Sequence, residues 1–336
     1  MKLRLHPFEL QYKHTFAISR ESRTVQRTLI VELNDGPHSG FGEATANKYY
    51  GTTTDGMMET LESLRPQIES AQWTEPEEFW QYLHALLPGN PFPLAALDEA
   101  ANDLHARRLG LPLHKLWGLN AEQLPVCNYT IGIAPIEEMV EKMRELPWPV
   151  YKIKLGTEHD LDIIRQLRQH TDAVFRVDAN CAWTAVQTIE LAPQLRDLGV
   201  EFIEQPLPAE DTEGMREVFR HCVLPVIADE SCREEADVER CHGLFHGINI
   251  KLMKCGGLTP ARRMIDRARA LGMKVMVGCM TESSVGIAAI GQLLPLLDYV
   301  DMDGALLVRN DPATGVCIEY GQVHLPQSPG TGAALR

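Results

Sequence analysis

Acidic side chains follow three successive apolar runs of the sequence at nearly even spacing. Asp178, Glu204 and Asp229 each come directly after a short stretch of branched or aromatic residues. Carboxylate oxygens with open coordination positions suit a hard cation, most simply Mg²⁺, which keeps water and substrate oxygens among its ligands. The sequence has no cluster of His and Cys residues that would favour zinc. The three acids therefore predict a magnesium site.

Two lysines lie in the apolar run that precedes these acids. Lys152 and Lys154 share one strand face, because side chains alternate with a period of two, and lysines that point into a core need anions nearby. A neutral lysine can remove the proton on the carbon next to a carboxylate, while a metal ion stabilises the resulting enediolate. Lys152, together with the metal, would lower the pKa of Lys154 and so favour its role as the base.

A third lysine, Lys251, lies in a run four strands further along the chain. In a closed barrel of eight strands it would face Lys154 across the site. Two bases on opposite faces of a planar enediolate take a proton from one side and deliver it on the other, which inverts a stereocentre. If only one of the two lysines acts, the same arrangement permits cycloisomerisation or elimination.

Each of these charges also has a simpler structural explanation when it is taken alone. A polar residue after a buried strand often caps the next helix, as Asp178 or Asp229 would, and a Lys-x-Lys pair is often a solvated strand edge. A catalytically inactive barrel that only binds a ligand is a further alternative at this point. The joint pattern of lysines and acids on consecutive strands favours catalysis.

The elements that must position these side chains are eight short apolar runs separated by amphipathic helical segments. Runs that alternate with helices are typical of a parallel α/β fold, and their even spacing favours a closed (β/α) barrel over a doubly wound open sheet. In a barrel the carboxyl ends of the strands converge on one face, where active sites are built. The runs are 127–133, 150–155, 173–177, 200–203, 225–228, 247–252, 274–279 and 299–302.

The chain before the barrel has a different pattern. Its first part alternates apolar and polar residues as strands do, and helical spacing follows at 55–69, 75–86 and 93–109. We therefore expect an α+β capping domain at 1–120 and a barrel domain at 125–307. The tail 308–336 is expected to join the capping domain, with a strand near 316–320.

Composition restricts the partners and the location. The chain has 336 residues and a formal net charge of −14 at pH 7, which disfavours nucleic acid and anionic membranes, since both are polyanions. No stretch approaches the ~20 apolar residues that cross a bilayer. The amino terminus has no apolar signal segment, and the 8 cysteines show no CxxC spacing. A cytoplasmic protein with reduced thiols is expected, and homo-oligomerisation is left open.

Five motifs together resemble the enolase superfamily, in its muconate-lactonizing subgroup, over nearly the whole chain. They are KIK at 152–154, VDAN at 177–180, EQP at 204–206, ADES at 228–231 and NIKLMKCGGL at 249–258. The resemblance implies a (β/α)7β-type modified TIM barrel with an α+β capping domain. It also implies that Lys154 and Lys251 are the acid/base pair and that Lys152 tunes Lys154. It assigns Mg²⁺ to Asp178, Glu204 and Asp229, supported from behind by Asn180 and Gln205.

Within that subgroup, the sequence Asp301-Met302-Asp303 resembles the DxD motif of dipeptide epimerases, whose carboxylates hold the α-ammonium group of the substrate. Two carboxylates on one strand face do suit a cation, although a turn at the strand end is the simpler explanation. The remaining subgroup reactions are muconate cycloisomerisation, o-succinylbenzoate synthesis and N-acylamino acid racemisation. The leading hypothesis is epimerisation of a dipeptide at the α-carbon of its carboxy-terminal residue.

The segment 16–24 resembles the loop that closes over the site in L-Ala-D/L-Glu epimerases, where an arginine pairs with the glutamate side chain. Arg23 is the candidate for this role, since a guanidinium suits a carboxylate. Arg20 and Glu21 lie close by, so the register stays open. Tyr50, in a second closing loop, and Met280, after the seventh strand, are expected to line the pocket. The resemblance thus favours L-Ala-D/L-Glu and a role in cell-wall peptide recycling, with a different dipeptide as the alternative.

Overall fold

An antiparallel sheet of three strands begins the computed structural model, which describes residues 1–336. The strands are β1 (Lys2–Ile18), β2 (Glu21–Asp35) and β3 (His38–Thr45), in the order β1-β2-β3. β1 and β2 form a long hairpin whose turn lies at residues 19–20. The β2–β3 turn passes through Gly36, whose φ of 57° is a conformation that glycine adopts readily.

Five helices follow this sheet. They are α1 (Thr54–Ser63), α2 (Arg65–Ser70), α3 (Pro76–Leu86), α4 (Pro91–Leu109) and α5 (Leu113–Leu116). α4 packs directly on β3, where a Cβ atom added to Gly40 would lie 2.2 Å from the carbonyl oxygen of Ala100. The predicted helix at 55–69 is interrupted, because Pro66 has no N–H to continue the hydrogen bonding of α1 and instead occupies the first turn of α2.

Eight parallel strands then form a barrel in which each strand pairs with its neighbours along the chain. A parallel bridge between Cys127 and Val300 joins the two edge strands. The prediction of an α/β barrel with an α+β amino-terminal part is therefore confirmed. The strands are β4 (Tyr129–Ile131), β5 (Val150–Lys154), β6 (Val174–Asp178), β7 (Val200–Glu204), β8 (Val226–Ala228), β9 (Gly247–Ile250), β10 (Lys274–Gly278) and β11 (Tyr299–Asp301).

Helices fill the seven connections between these strands, and β11 is followed by a short 3₁₀ turn at Gly304–Leu307. This arrangement is the (β/α)7β pattern. The helices are α6 (Ile136–Glu145), α7 (Asp160–Arg168), α8 (Ala185–Asp197), α9 (Thr212–His221), α10 (Glu235–Cys241), α11 (Leu252–Cys255), α12 (Leu258–Ala270) and α13 (Ser284–Gly291). None of the helices combines the length and apolar character that a membrane span requires.

Two hydrophobic cores support a division of the chain into two domains. The larger core joins the barrel strands to their surrounding helices, and a smaller one lies between the amino-terminal sheet and α1, α3 and α4. The boundaries at 1–120 and 125–307 stay a proposal.

The tail forms two small antiparallel pairs, β12 (Ala313–Thr314) with β15 (Ala334–Leu335) and β13 (Cys317–Glu319) with β14 (Gln322–His324). The tail does return to the amino-terminal part, since Val308 forms a bridge with Tyr12 of β1. The strand predicted at 316–320 packs on both parts of the chain. Val316 contacts a small core that includes Ile30 of β2. The hairpin also lies against the barrel core, and there the carbonyl of Gly321 accepts a hydrogen bond from the Cys127 N–H at 2.9 Å.

Candidate active site

Three acids converge at the carboxyl ends of neighbouring barrel strands. Asp178 and Glu204 are the last residues of β6 and β7, and Asp229 follows β8 directly. All three are buried, and one oxygen from each lies within 4.8 Å of the others. The parallel register pairs Asp178 of β6 with Glu204 of β7. The acids therefore form one cluster, as the spacing of the runs predicts.

This cluster fits a hard divalent cation. Lys152 Nζ lies 2.8 Å from Glu204 Oε2 as an ion pair, and this buried oxygen receives no hydrogen bond. Burial and the neighbouring Asp178 raise the pKa of Glu204 to about 7. Carboxylates held this close in a dry site repel one another, and a cation with oxygen ligands removes that repulsion. The donor set is the one that suits Mg²⁺.

Lys154 and Lys251 each contact one acid of the cluster. Lys154 Nζ lies 2.7 Å from Asp178 Oδ2, and Lys251 Nζ lies 2.7 Å from Asp229 Oδ2. Lys154 ends β5 and Lys251 follows β9, so three strands of the eight-stranded barrel lie between them in either direction. Both side chains line one cavity of about 100 Å³ that opens to solvent. The two amines therefore enter the cavity from opposite sides of the barrel.

Lys152 occupies the centre of this network with its side chain only 1% exposed. Its Nζ lies 2.7 Å from Asp301 Oδ2 and 3.2 Å from Asp178 Oδ2. Burial alone would lower the pKa of Lys152, but Asp301 and Glu204 raise it well above its usual value. Lys152 is therefore a permanent cation between the acid cluster and the last strand.

Asp301 and Asp303 both line the same cavity. Asp301 accepts a hydrogen bond from Asn128 Nδ2 at 2.8 Å. Burial would raise its pKa, but Lys152 lowers it to about 2. Burial and the nearby Asp301 raise the pKa of Asp303 to about 7. The expectation of a shared strand face needs a correction, because β11 ends at Asp301 and Asp303 accepts a hydrogen bond from the Thr130 N–H at 2.6 Å. Together they form an acidic corner suited to a cation.

The turn of the β1–β2 hairpin covers the cavity. Arg20 Nη2 donates to Glu230 Oε1 at 2.7 Å and Nη1 donates to the Asn180 carbonyl at 3.3 Å. The guanidinium of Arg20 also lies 4.3 Å from the ring centre of Tyr49. Glu230 directly follows Asp229, and its side chain is 1% exposed. Arg20 therefore ties the hairpin to the loops that carry the acid cluster.

Arg23 lines the cavity with Glu21 beside it. Arg23 Nη2 lies 2.7 Å from Glu21 Oε2, and Nη1 donates to Gln26 Oε1 at 2.6 Å. Arg20, Glu21 and Arg23 all line the cavity: Arg20 binds Glu230, whereas Glu21 and Arg23 form an ion pair with each other. Which of them contacts a substrate stays a prediction. This wall of the cavity presents both a cation and an anion.

Tyr50 and Met280 line the cavity as expected. Burial raises the pKa of Tyr50 to about 12, so its hydroxyl stays protonated. Met280 Sδ accepts a hydrogen bond from Asn47 Nδ2 at 3.2 Å. These contacts join the loop before α1 to the loop after β10.

Asn180 and Gln205 hold the acids from behind. Gln205 Oε1 accepts hydrogen bonds from the N–H groups of Asp229 at 2.9 Å and Ser231 at 3.0 Å. The Asn180 N–H donates to Asp178 Oδ1 at 2.9 Å. Asn180 and Gln205 have positive φ angles of 44° and 34°, which are uncommon for side-chain-bearing residues and concentrate at functional sites.

Sequence reasoning missed three charged residues near this site. Lys254 contacts Asp229, and Glu230 accepts from Arg20. Glu43 of β3 accepts hydrogen bonds from the Ser283 and Gly286 N–H groups at the start of α13. A charge inside an apolar run was the available signal for Lys254 and Glu43, since such a residue needs a buried partner.

Comparison with known proteins gives two family matches that together span most of the chain. Residues 5–118 match the mandelate racemase / muconate lactonizing enzyme N-terminal domain, and residues 135–336 match the enolase C-terminal domain-like family. The L-Ala-D/L-amino acid epimerase of Flavobacterium johnsoniae is 56% identical, with both chains fully covered. A Maribacter relative of the same description is 57% identical over 100% of this chain and 99% of its own.

Solved structures agree with these matches. The dipeptide epimerase of Cytophaga hutchinsonii, complexed with Mg and D-Ala-L-Val, superposes with a TM-score of 0.94 at 26% identity, covering 99% of this chain and 95% of that one. The substrate-liganded L-Ala-D/L-Glu epimerase of Bacillus subtilis gives 0.93 at 26% identity with full coverage of both chains. By sequence and by fold, this chain belongs to the mandelate racemase and muconate lactonizing enzyme family of the enolase superfamily.

Proposed function

We propose that this chain is a magnesium-dependent dipeptide epimerase that inverts the α-carbon of the carboxy-terminal residue. The observation that carries the proposal is the placement of Lys154 and Lys251 on opposite sides of one cavity, each against an acid of the same cluster. One amine on each flank of the reacting carbon is what removal of a proton from one face and delivery to the other requires.

Asp178, Glu204 and Asp229 would hold the Mg²⁺ ion. Bound there, the ion would offset the repulsion among the three acids, bind the carboxylate of the dipeptide and stabilise negative charge that develops on it. Lys154 takes or gives the α-proton at one face, and Lys251 does so at the other. Lys152 stays protonated between the acids and Asp301, so that it adds a fixed positive charge beside Lys154.

The ends of the dipeptide would meet different walls of the cavity. Asp301 and Asp303 would bind the α-ammonium group, since one is charged at neutral pH and the other ionises readily once a cation is near. The Glu21–Arg23 pair would face the side chain of the carboxy-terminal residue. Arg23 can turn from Glu21 to a substrate carboxylate, while the pair as a whole has no net charge.

We propose L-Ala-X dipeptides as substrates, with L-Ala-D/L-Glu among them. A wall without net charge accepts neutral polar residues as well as glutamate, and the two relatives with more than half of their residues identical carry the broader description L-Ala-D/L-amino acid epimerase. Dipeptides of L-Ala and Glu are the kind released from cell-wall peptide, so recycling of that peptide is the proposed role. The 8 cysteines are all unpaired, which supports a reducing compartment, the cytoplasm.

Deuterium uptake tests this function directly. The protein is incubated with L-Ala-L-Glu and a panel of L-Ala-L-X dipeptides in D₂O with Mg²⁺, and mass gain and inversion are followed by mass spectrometry and chiral chromatography. We expect one deuterium at the carboxy-terminal α-carbon, formation of the L,D epimer, and loss of both after chelation of the metal. No uptake with any dipeptide, or full activity in excess chelator, would contradict the proposal. For variants of the site lysines, the matched control is Lys274→Met, which removes an exposed lysine paired with Asp298.

A further inference from the structure

Lys254 is a buried cation that the reaction described above does not use. It lies in the one-turn helix α11, which begins directly after Lys251. Its side chain has 0% exposure. Its Nζ donates to Asp229 Oδ1 at 2.6 Å, to the Asp229 carbonyl at 2.5 Å and to the Cys232 carbonyl at 2.8 Å. All three ammonium hydrogens therefore have oxygen acceptors, and two of those oxygens belong to a single residue of the acid cluster.

The two oxygens of Asp229 have different lysine partners. Oδ2 lies 2.7 Å from Lys251 Nζ, and Lys251 lines the active-site cavity. Oδ1 is bound by Lys254, which lines a different cavity, next to Asp237 and Cys255 behind the barrel loop. Lys254 therefore approaches Asp229 from outside the active site and never reaches the space where a dipeptide would bind.

We propose that Lys254 is a positioning residue that holds Asp229 with Oδ2 turned into the cavity as a ligand for a divalent cation. This inference rests on the proposed function. Asp229 follows a strand of only three residues, and its side chain can rotate about two bonds. Lys254 ties the carboxylate, the backbone of the same residue and the following turn at Cys232 to one point. A ligand fixed in this way needs no reordering when the cation binds.

Lys251 and Lys254 contact the same carboxylate, so the effect of removing each one on Mg²⁺ affinity can be compared directly. By Coulomb's law alone, removal of either positive charge should strengthen the binding of Mg²⁺. If Lys254 orients Asp229, its removal should instead weaken binding, because the ligand loses its fixed direction. Partners of this kind typically contribute 10- to 100-fold to metal affinity. Lys251→Met should bind Mg²⁺ at least as tightly as the parent, and Lys254→Met roughly 10- to 100-fold more weakly.

The experiment is a titration of metal-free protein with Mg²⁺ alone, followed by isothermal calorimetry. The parent, Lys254→Met, Lys251→Met and the control Lys274→Met are compared after circular dichroism has verified their folding. The epimerase activity of Lys254→Met should then recover as Mg²⁺ is raised, with kcat at saturating metal close to that of the parent. If Lys254→Met does not fold, Lys254→Arg serves instead, because it keeps the charge but cannot place one atom among these three oxygens, and it too should bind Mg²⁺ more weakly.

The outcomes separate this inference from the proposed function. If the parent binds Mg²⁺ and Lys254→Met binds it equally or more tightly, the positioning role is wrong and the proposed function stands. The same holds if Lys254→Arg, used as the replacement, matches the parent. If the parent binds no Mg²⁺, the metal site itself fails, and the proposed function fails with it.

Discussion

The contact between Arg20 and Glu230 is expected to hold the β1–β2 hairpin closed over the cavity. Arg20→Met removes the 2.7 Å ion pair, the hydrogen bond to the Asn180 carbonyl and the stacking on Tyr49, and it keeps the length of the side chain. Glu230, whose side chain is 1% exposed, then remains as a buried carboxylate without its partner. The closed position of the hairpin should therefore become less favourable.

The geometry sets the size of the effect. A hydrogen bond between charged groups contributes about 1.5–3 kcal/mol, and the lower part of that range applies because the Arg20 side chain is 31% exposed to solvent. The cation–π contact adds roughly 0.5 kcal/mol. A total of about 2 kcal/mol corresponds to roughly 30-fold in the closure equilibrium. KM for a dipeptide should rise by up to that factor, while the α-proton of substrate that does bind should still be exchanged.

Steady-state kinetics and hydrogen exchange check this prediction. The KM of Arg20→Met is compared with that of Arg4→Met, which removes an exposed arginine paired with Glu32 at the far end of the same hairpin. Backbone amides at 16–23 should lose protection in Arg20→Met alone. Adding Glu230→Gln should recover part of the loss, since the buried charge is gone. An unchanged KM together with unchanged protection would refute the closing role of Arg20.

Three further outcomes are expected. Lys154→Ala and Lys251→Ala should each exchange the α-proton of only one epimer in D₂O, and opposite ones, as mass spectrometry would detect; exchange of both epimers by either variant would contradict the two-base arrangement. Asp301→Asn should raise KM for dipeptides with a free amino group by roughly tenfold or more, the effect of losing a hydrogen bond to a charged group. Burial raises the pKa of Asp98 to about 7 in the folded protein. Between about pH 4 and pH 7 the carboxyl therefore ionises in the unfolded chain before it does so in the folded one, and the folded state loses stability as pH rises through that range. Asp98→Asn should therefore gain stability relative to the parent over that range, and equal differences in urea unfolding at pH 5 and pH 8 would contradict this reasoning.

The barrel was predictable because its signal is local and repeated. Each apolar run, such as 200–203, becomes a strand within one or two residues of its expected bounds. The charged residue at the end of a run reaches the active-site face because parallel strands all end on the same side. The acid cluster therefore follows from order along the chain, without any knowledge of side-chain contacts.

Other features depend on contacts between distant parts of the chain. The hairpin turn carries Arg20, Glu21 and Arg23 within four residues, and sequence alone leaves open which of them faces the cavity. The structure places all three along the cavity and ties Arg20 to Glu230, which lies more than 200 residues away in the chain. The tail strand was expected against the amino-terminal domain, and it packs on the barrel core as well. Its apolar pattern indicates burial but does not say against which surface.

The sequence by itself determined the barrel, the lysines and the acids at the strand ends, because strand periodicity and chain order fix where those side chains emerge. Only the tertiary structure decided which oxygen of Asp229 each lysine binds, and that Lys254 approaches it from behind. The physical reason is that a buried charge must find a partner, but the identity of that partner depends on which loops the fold brings within hydrogen-bond distance.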